Sequence, residues 1–210
     1  MIQACVAAHQ ALESSLVGLT DHVARRPSLL PDWSVGHVLT HLARNADALA
    51  RMFEGAQQGE VAAMYVGGRQ SRRGDIEAGA GRPANDLLAD LHRASDRLDA
   101  LFAGATAGDR VWRGRGATFG GEITIDDLPG RRRVEVEIHR VDLGLGYRFV
   151  DWPGDFLRSE LTRMTGVWAS RKPMGFDDLP EAALALAPAD RFAWLVGRLV
   201  VDGLAPAGIF

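Results

Sequence analysis

Three side chains able to hold a metal ion fall in two distant segments of this chain. His41 lies in Leu30-Pro-Asp-Trp-Ser-Val-Gly-His-Val-Leu-Thr-His-Leu-Ala43, and Glu135 and His139 lie four apart in Arg133-Val-Glu-Val-Glu-Ile-His-Arg-Val-Asp-Leu143. Neutral imidazole and carboxylate are ligands that suit zinc, and two His plus one Glu leave a fourth position for a reacting group. That open position separates a catalytic zinc from a structural one. His37 stands one helical turn before His41 and offers a second imidazole on the same face. It also sits where a helix N-terminus needs a partner, and a capping or packing role is the reading adopted for it.

The ligands share one ion only if their segments are helical. Val134-Glu-Val-Glu-Ile138 alternates like a strand, but Leu128, Val134, Ile138, Val141 and Leu145 recover a helical spacing. Residues i and i+4 lie roughly 6 Å apart along a helix and about 13 Å apart along a strand, so a shared metal requires the helix. Three more helices are expected before it. The first runs from about Ile2 to Arg25. The second is capped by Ser34 and reaches Phe53 or Glu54. The third follows Arg82-Pro83 and carries Leu87, Leu91, Leu98 and Leu101. The Gly- and Arg-rich stretch from Met64 to Gly81 reads as a long loop, a kind of segment that is often functional. Arg110 to Gly121 reads as irregular or a short hairpin. After Trp152 the composition shifts: a helix from about Asp155 to Ser170, a linker with Pro173 and Gly175, and a last helix from Pro188 through Leu199 that carries Arg198. The expectation is a mainly α fold, with a metal-binding four-helix bundle over 1–150 and a short helical, possibly α/β, extension over 151–210.

Composition excludes several function classes. At 210 residues with 47% hydrophobic side chains, the chain can build a core without disulfides. Cys5 is the single cysteine, so neither an internal disulfide nor a Cys-based zinc cluster is available, and a reducing, cytoplasmic setting is expected. A buried apolar role for Cys5 is favoured over a nucleophilic one. Formal net charge is −3, which gives no electrostatic case for nucleic acid. The run Arg131-Arg132-Arg133 reads as a solvated helix face. No apolar run approaches the roughly 18 residues of a membrane span, and Met1 to His9 lacks the basic start of a signal peptide. There is no Gly-x-Ser-x-Gly elbow, and Gly114 to Gly120 has the wrong spacing for a dinucleotide loop. Trp33, Trp168 and Trp194 read as core or interface aromatics.

Taken jointly, these segments resemble the mycothiol-dependent maleylpyruvate isomerases of the DinB-like four-helix-bundle superfamily. The likeness is carried by Leu30 to Ala43, by Met64-Tyr65 with Arg72 or Arg73 and Ile76, by Val134 to Leu143, and by Gly197-Arg-Leu-Val-Val-Asp-Gly203. It implies zinc held by His41, Glu135 and His139, and mycothiol as the thiol cofactor. It also implies a substrate-carboxylate contact at Arg198, with Arg72 and Arg73 as further candidates. The region after Trp152 is shorter than the α/β appendage that such proteins often carry.

The implied reaction is thiol addition and elimination. Zinc lowers the pKa of the mycothiol sulfur, the thiolate adds to the cis double bond of maleylpyruvate, the new single bond rotates, and elimination gives fumarylpyruvate. The expected partners are a small-molecule substrate and a low-molecular-weight thiol. Two other functions suit the same residues: a mycothiol S-transferase acting on another electrophile, and a non-catalytic metal-binding bundle in which His37 or Asp142 closes the coordination sphere.

Overall fold

The structure is a computed structural model, and it describes residues 1–106, 108–170 and 178–207. It divides into two compact units, Met1–Leu145 and Gly146–Phe210.

In the first unit, α1 (Ile2–Ser15) is followed by the single turn α2 (Asp21–Ala24) and the long α3 (Val35–Gln57). Next come β1 (Ala62–Ala63), α4 (Gly68–Ala80) and α5 (Ala84–Ala103). The hairpin β2 (Arg115–Thr118) and β3 (Gly121–Thr124) leads into α6 (Leu128–Asp142). Helices α1, α3, α5 and α6 make a four-helix bundle: α3 packs on α5 and α6, and α1 packs on α5 and α6. The centre of α3 explains its place, because Val38, Leu39, Leu42, Ala46, Leu49, Met52 and Phe53 are all buried. Each fully buried Leu of this kind stabilises the fold by about 2 kcal/mol. Ser34 caps α3: its hydroxyl accepts from the His37 amide at 3.3 Å, and His37 Nδ1 accepts from the Ser34 amide at 3.1 Å. This reciprocal box satisfies two end donors and fixes where the His41 helix begins.

In this unit three expectations are corrected. The first helix stops at Ser15 and not near Arg25, because Gly18 takes φ +79° and turns the chain. The stretch from Met64 to Gly81 is no long loop; most of it is α4. Its apolar signal is faint because little of it is buried beyond Ile76, Gly79 and Ala80. It is held close to α3 by missing side chains: a Cβ on Gly79 would collide with Thr40, and one on Gly36 with the Ala80 carbonyl. Arg131-Arg132-Arg133 is not a solvated face, since Arg132 is fully buried and Arg133 nearly so.

The small sheet joins β1 to β2 in parallel and β2 to β3 antiparallel, with Ala62 opposite Gly116 and Thr118 opposite Gly121. The Met64 amide extends it by donating to the Ala117 carbonyl at 2.8 Å.

The second unit holds α7 (Gly154–Ala169), the single turn α8 (Glu181–Leu184) and α9 (Pro188–Leu195); Phe156 of α7 and Phe192 of α9 pack with Trp152, their rings meeting at 5.0–6.1 Å. Trp194 is buried against Trp168. The expected linker with Pro173 and Gly175 lies outside the described residues. The last helix ends at Leu195, short of Leu199. Gly197 takes φ +70°, the Arg198 amide donates back to the Ala193 carbonyl at 2.8 Å, and Gly197 donates to Trp194. That pair of bonds is a Schellman stop, which requires glycine at this position. Arg198 therefore lies beyond the helix.

Candidate metal centre

Helix α3 supplies His41 and helix α6 supplies Glu135 and His139. The side chains meet at one point. His41 Nε2 is 3.0 Å from Glu135 Oε2 and 3.0 Å from His139 Nε2, and His139 Nε2 is 3.4 Å from the same carboxylate oxygen. Such convergence of three donor atoms, drawn from segments more than ninety residues apart, fits a single divalent ion of the zinc type. Asp142, one turn further along α6, lies 2.8 Å from His139 Nδ1 and holds that ring from behind. A carboxylate behind a ligand imidazole fixes its orientation and raises its basicity. Of the residues weighed as closing ligands, Asp142 faces the far side of His139. His37 turns away, with Nδ1 on Ser34 and Nε2 3.4 Å from Glu77 Oε2.

The electrostatics follow from burial and crowding. Burial, reinforced by the neighbouring His139, pulls the His41 imidazole down to about 4, so it is neutral and ligand-competent near pH 7. Burial works against charge on Glu135, but hydrogen bonds from His139 and His41 outweigh it and hold the carboxyl well below the usual range. Burial likewise disfavours a charged His139, yet its contacts with Asp142 and Glu135 prevail and raise it.

Arg72 on α4 reaches the trio, with Nη2 donating to His41 Nδ1 at 3.0 Å. Arg73, its sequence neighbour, lines the same cavity of about 360 Å³ as Arg72, Arg69, Trp33 and Phe119. A second cavity of about 200 Å³ opens over Glu135, between Asn45, Met64 and Phe119. The Glu135 side chain keeps 31% exposure, so a ligand can approach the trio from its side. Trp33 sets the edge of the site, its ring 5.6 Å from that of His41. Arg198 belongs to the second unit, where Nη1 donates to the Val196 carbonyl at 3.0 Å.

One residue that positions the centre escapes sequence reasoning. The guanidinium of Arg132 donates to His9 Nε2 at 2.9 Å, to the Leu42 carbonyl at 2.8 Å and to Asn45 Oδ1 at 2.9 Å. Leu42 follows His41 and Arg132 precedes Glu135 by one turn, so this clamp sets α6 against α3 beside the trio. His9 completes the chain through Nδ1, which lies 3.0 Å from Asp99. A run of three arginines hides which one turns inward; the helical period did carry the signal, since Arg132 shares the inward face with Leu128, Val136 and His139.

Cys5, His9 and Asp99 also come within ligand distance of one another. That cluster does not suit a metal. Both His9 nitrogens are already bonded, and burial pushes the Cys5 thiol up to about 12.

The family model for the mycothiol maleylpyruvate isomerase N-terminal domain matches residues 5–144. Two solved structures share the fold over 94% of this chain and 88% of theirs, each with a TM-score of 0.81. They are a crystal structure of the mycothiol-dependent maleylpyruvate isomerase, at 23% identity, and one of a histidine-to-alanine mutant of it, at 22%. At that identity the likeness establishes the architecture. No curated protein matches the chain.

Proposed function

The chain belongs to the mycothiol maleylpyruvate isomerase N-terminal domain family, and from that membership and the trio's geometry we propose a zinc- and mycothiol-dependent isomerase converting maleylpyruvate to fumarylpyruvate. The observation that carries the reading is the convergence of His41, Glu135 and His139 at 3.0–3.4 Å beside an arginine-lined cavity. His41 Nε2, the Glu135 carboxylate and His139 Nε2 would hold the metal. When bound, zinc supplies Lewis acidity that lets a coordinating thiol, here that of mycothiol, exist as thiolate near neutral pH.

The protein's own residues supply the rest. Maleylpyruvate carries two carboxylates, and Arg72, at the wall between trio and cavity, is the cation best placed to hold one of them. Its planar fork suits bidentate contact with a carboxylate. As a nucleophile adds to the double bond, negative charge moves onto the conjugated oxo oxygen, and a fixed cation at that end favours the change over solvent. Asp142 keeps the His139 ring from turning, and the Arg132 clamp keeps α6 from sliding against α3. Arg198 is proposed as a substrate-carboxylate contact. Residues 1–150 would then form the metal-binding domain.

No helix among the described residues is long and apolar enough to cross a membrane. The reading sets the enzyme in the cytoplasm, where a small thiol stays reduced. Incubating zinc-loaded protein with maleylpyruvate and mycothiol tests it: fumarylpyruvate should accumulate while free thiol stays constant. Stoichiometric loss of thiol would instead identify an S-transferase, and no thiol-dependent change would contradict both.

A further inference from the structure

Arg131, Glu135 and His139 follow one another at i, i+4 and i+8 along a single ridge of α6. Two of them belong to the trio, and Arg131 stands one turn, about 6 Å, before Glu135, within the span of an arginine side chain. The helical period gives the three consecutive arginines different fates: Arg132 turns into the bundle, Arg133 is nearly buried, and Arg131 stays half exposed. Arg131 lines the cavity of about 200 Å³ that opens over Glu135, and among the described residues it is the only cation on that wall. Asp127 lies 3.9 Å from its guanidinium, half exposed and not part of the cavity wall, and a solvated pair at that distance contributes little. The rest of the wall favours a small acid. Leu49, Met64, Phe119 and Ile123 give it apolar sides. Asn45 lines it as well, although only 2% exposed. Its Oδ1 accepts from Arg132 at 2.9 Å, while its NH2 group makes no hydrogen bond to a described residue. A buried amide donor without a partner is costly unless a ligand brings an acceptor to it. The charge of Glu135, the acidic group of this wall, is engaged by His41 and His139. The volume lies below the roughly 300–1,000 Å³ of pockets for drug-sized ligands, so it suits a ligand of a few carbons.

We infer that this cavity binds one carboxylate end of a dicarboxylic substrate, with Arg131 as its anchoring cation and the Asn45 amide as a second donor. The inference rests on the isomerase reading and narrows it to the end of maleylpyruvate away from the oxo group. Arg72 meets the trio at His41 and lines the other cavity, whereas Arg131 meets it beside Glu135. A dicarboxylate lying across the trio therefore has a cation for each end. Arg131 binds a group whose charge does not change in the reaction, so its contribution is to substrate affinity and not to rate. A site that donates to a carboxylate also rejects the analogue that lacks it, which makes Arg131 a specificity residue for diacids.

Arg131→Met tests this, since it removes the charge and keeps an extended side chain. Calorimetry on zinc-loaded protein without thiol uses maleate and its monomethyl ester as probes. Wild type should bind maleate about tenfold more tightly than the ester, and in Arg131→Met the two affinities should come within about twofold. Zinc content and melting temperature should match wild type. In steady-state assays of the variant, KM for maleylpyruvate should rise about tenfold with kcat within about threefold. Equal affinities in the wild type, an undiminished preference for maleate in Arg131→Met, an unchanged KM, or a loss that tracks lost zinc would each overturn the assignment. Wild-type turnover separates the two claims: where the preference for maleate depends on Arg131 but no thiol-dependent turnover occurs, the isomerase reading fails and the dicarboxylate site stands.

Discussion

Arg72 donates to Nδ1 of His41 at 3.0 Å, so the proton of the neutral His41 ring sits on Nε2, facing Glu135 3.0 Å away. A metal on Nε2 needs the opposite tautomer. Arg72 and a bound cation thus compete for the same imidazole, both through this hydrogen bond and through like charge.

Replacing Arg72 by Met is accordingly expected to leave zinc affinity undiminished and to raise it severalfold. Turnover should fall by 100-fold or more, because the carboxylate loses its cation. Competition titration with a chromogenic chelator, next to steady-state kinetics, reads both. Weaker zinc binding in this variant would make Arg72 a support of the metal site and not a substrate contact.

Arg132→Met should be costly in a different way. Removing one member of a buried, charged hydrogen-bond set leaves His9, Asn45 and the Leu42 carbonyl without their donor, at about 3 kcal/mol. For a chain of this size that is a melting temperature lower by about 8 °C. Zinc affinity should fall with it, since Glu135 rides on the same helix. An unchanged melting curve would remove the clamp from the account.

The acid side of the stability profile carries the signature of His9. Burial holds its pKa below the ordinary value of 6.5, despite the Asp99 bond. Below that ordinary value the unfolded chain takes up the proton first, so stability is full above about 6.5 and declines as pH falls toward the folded-state pKa. Denaturant midpoints measured on metal-free protein should therefore drop over this window. His9→Gln should flatten the decline; an identical slope in that variant would contradict the assignment.

Arg198 is tested by kinetics alone. With Arg198→Ala, KM for maleylpyruvate should rise about tenfold or more while zinc content is unchanged, and Arg198→Lys should recover little, because a point charge does not replace the fork. Normal kcat and KM in Arg198→Ala would leave Arg72 as the carboxylate contact.

The bundle was legible because α3, α5 and α6 bury continuous helical stripes such as Val38, Leu42, Leu49 and Phe53, and the helix that puts Glu135 and His139 on one face was legible because a shared ion would demand one helical turn. Ser34 as a cap and His37 as its partner were legible from position. What escaped lies where periodicity is weak or tertiary contacts decide. Helix α4 is mostly Gly, Arg and Ala with Ile76 as its one large apolar residue, so nothing in its pattern announces a helix pressed against Thr40 and Gly36. Arg132 is charged and fully buried, against every compositional expectation, because His9, Asn45 and a backbone carbonyl converge on it from two other helices. The end of α9 turned on one glycine, Gly197, whose left-handed conformation is invisible in a run of apolar neighbours.

The central claim is that His41, Glu135 and His139 hold one catalytic zinc, and metal content per chain tests it most directly. Elemental analysis after zinc loading and desalting should give one equivalent in the wild type. His41→Ala, Glu135→Ala and His139→Ala should each retain under about a tenth of that, with helical circular dichroism preserved. Full zinc occupancy in His41→Ala would contradict the account.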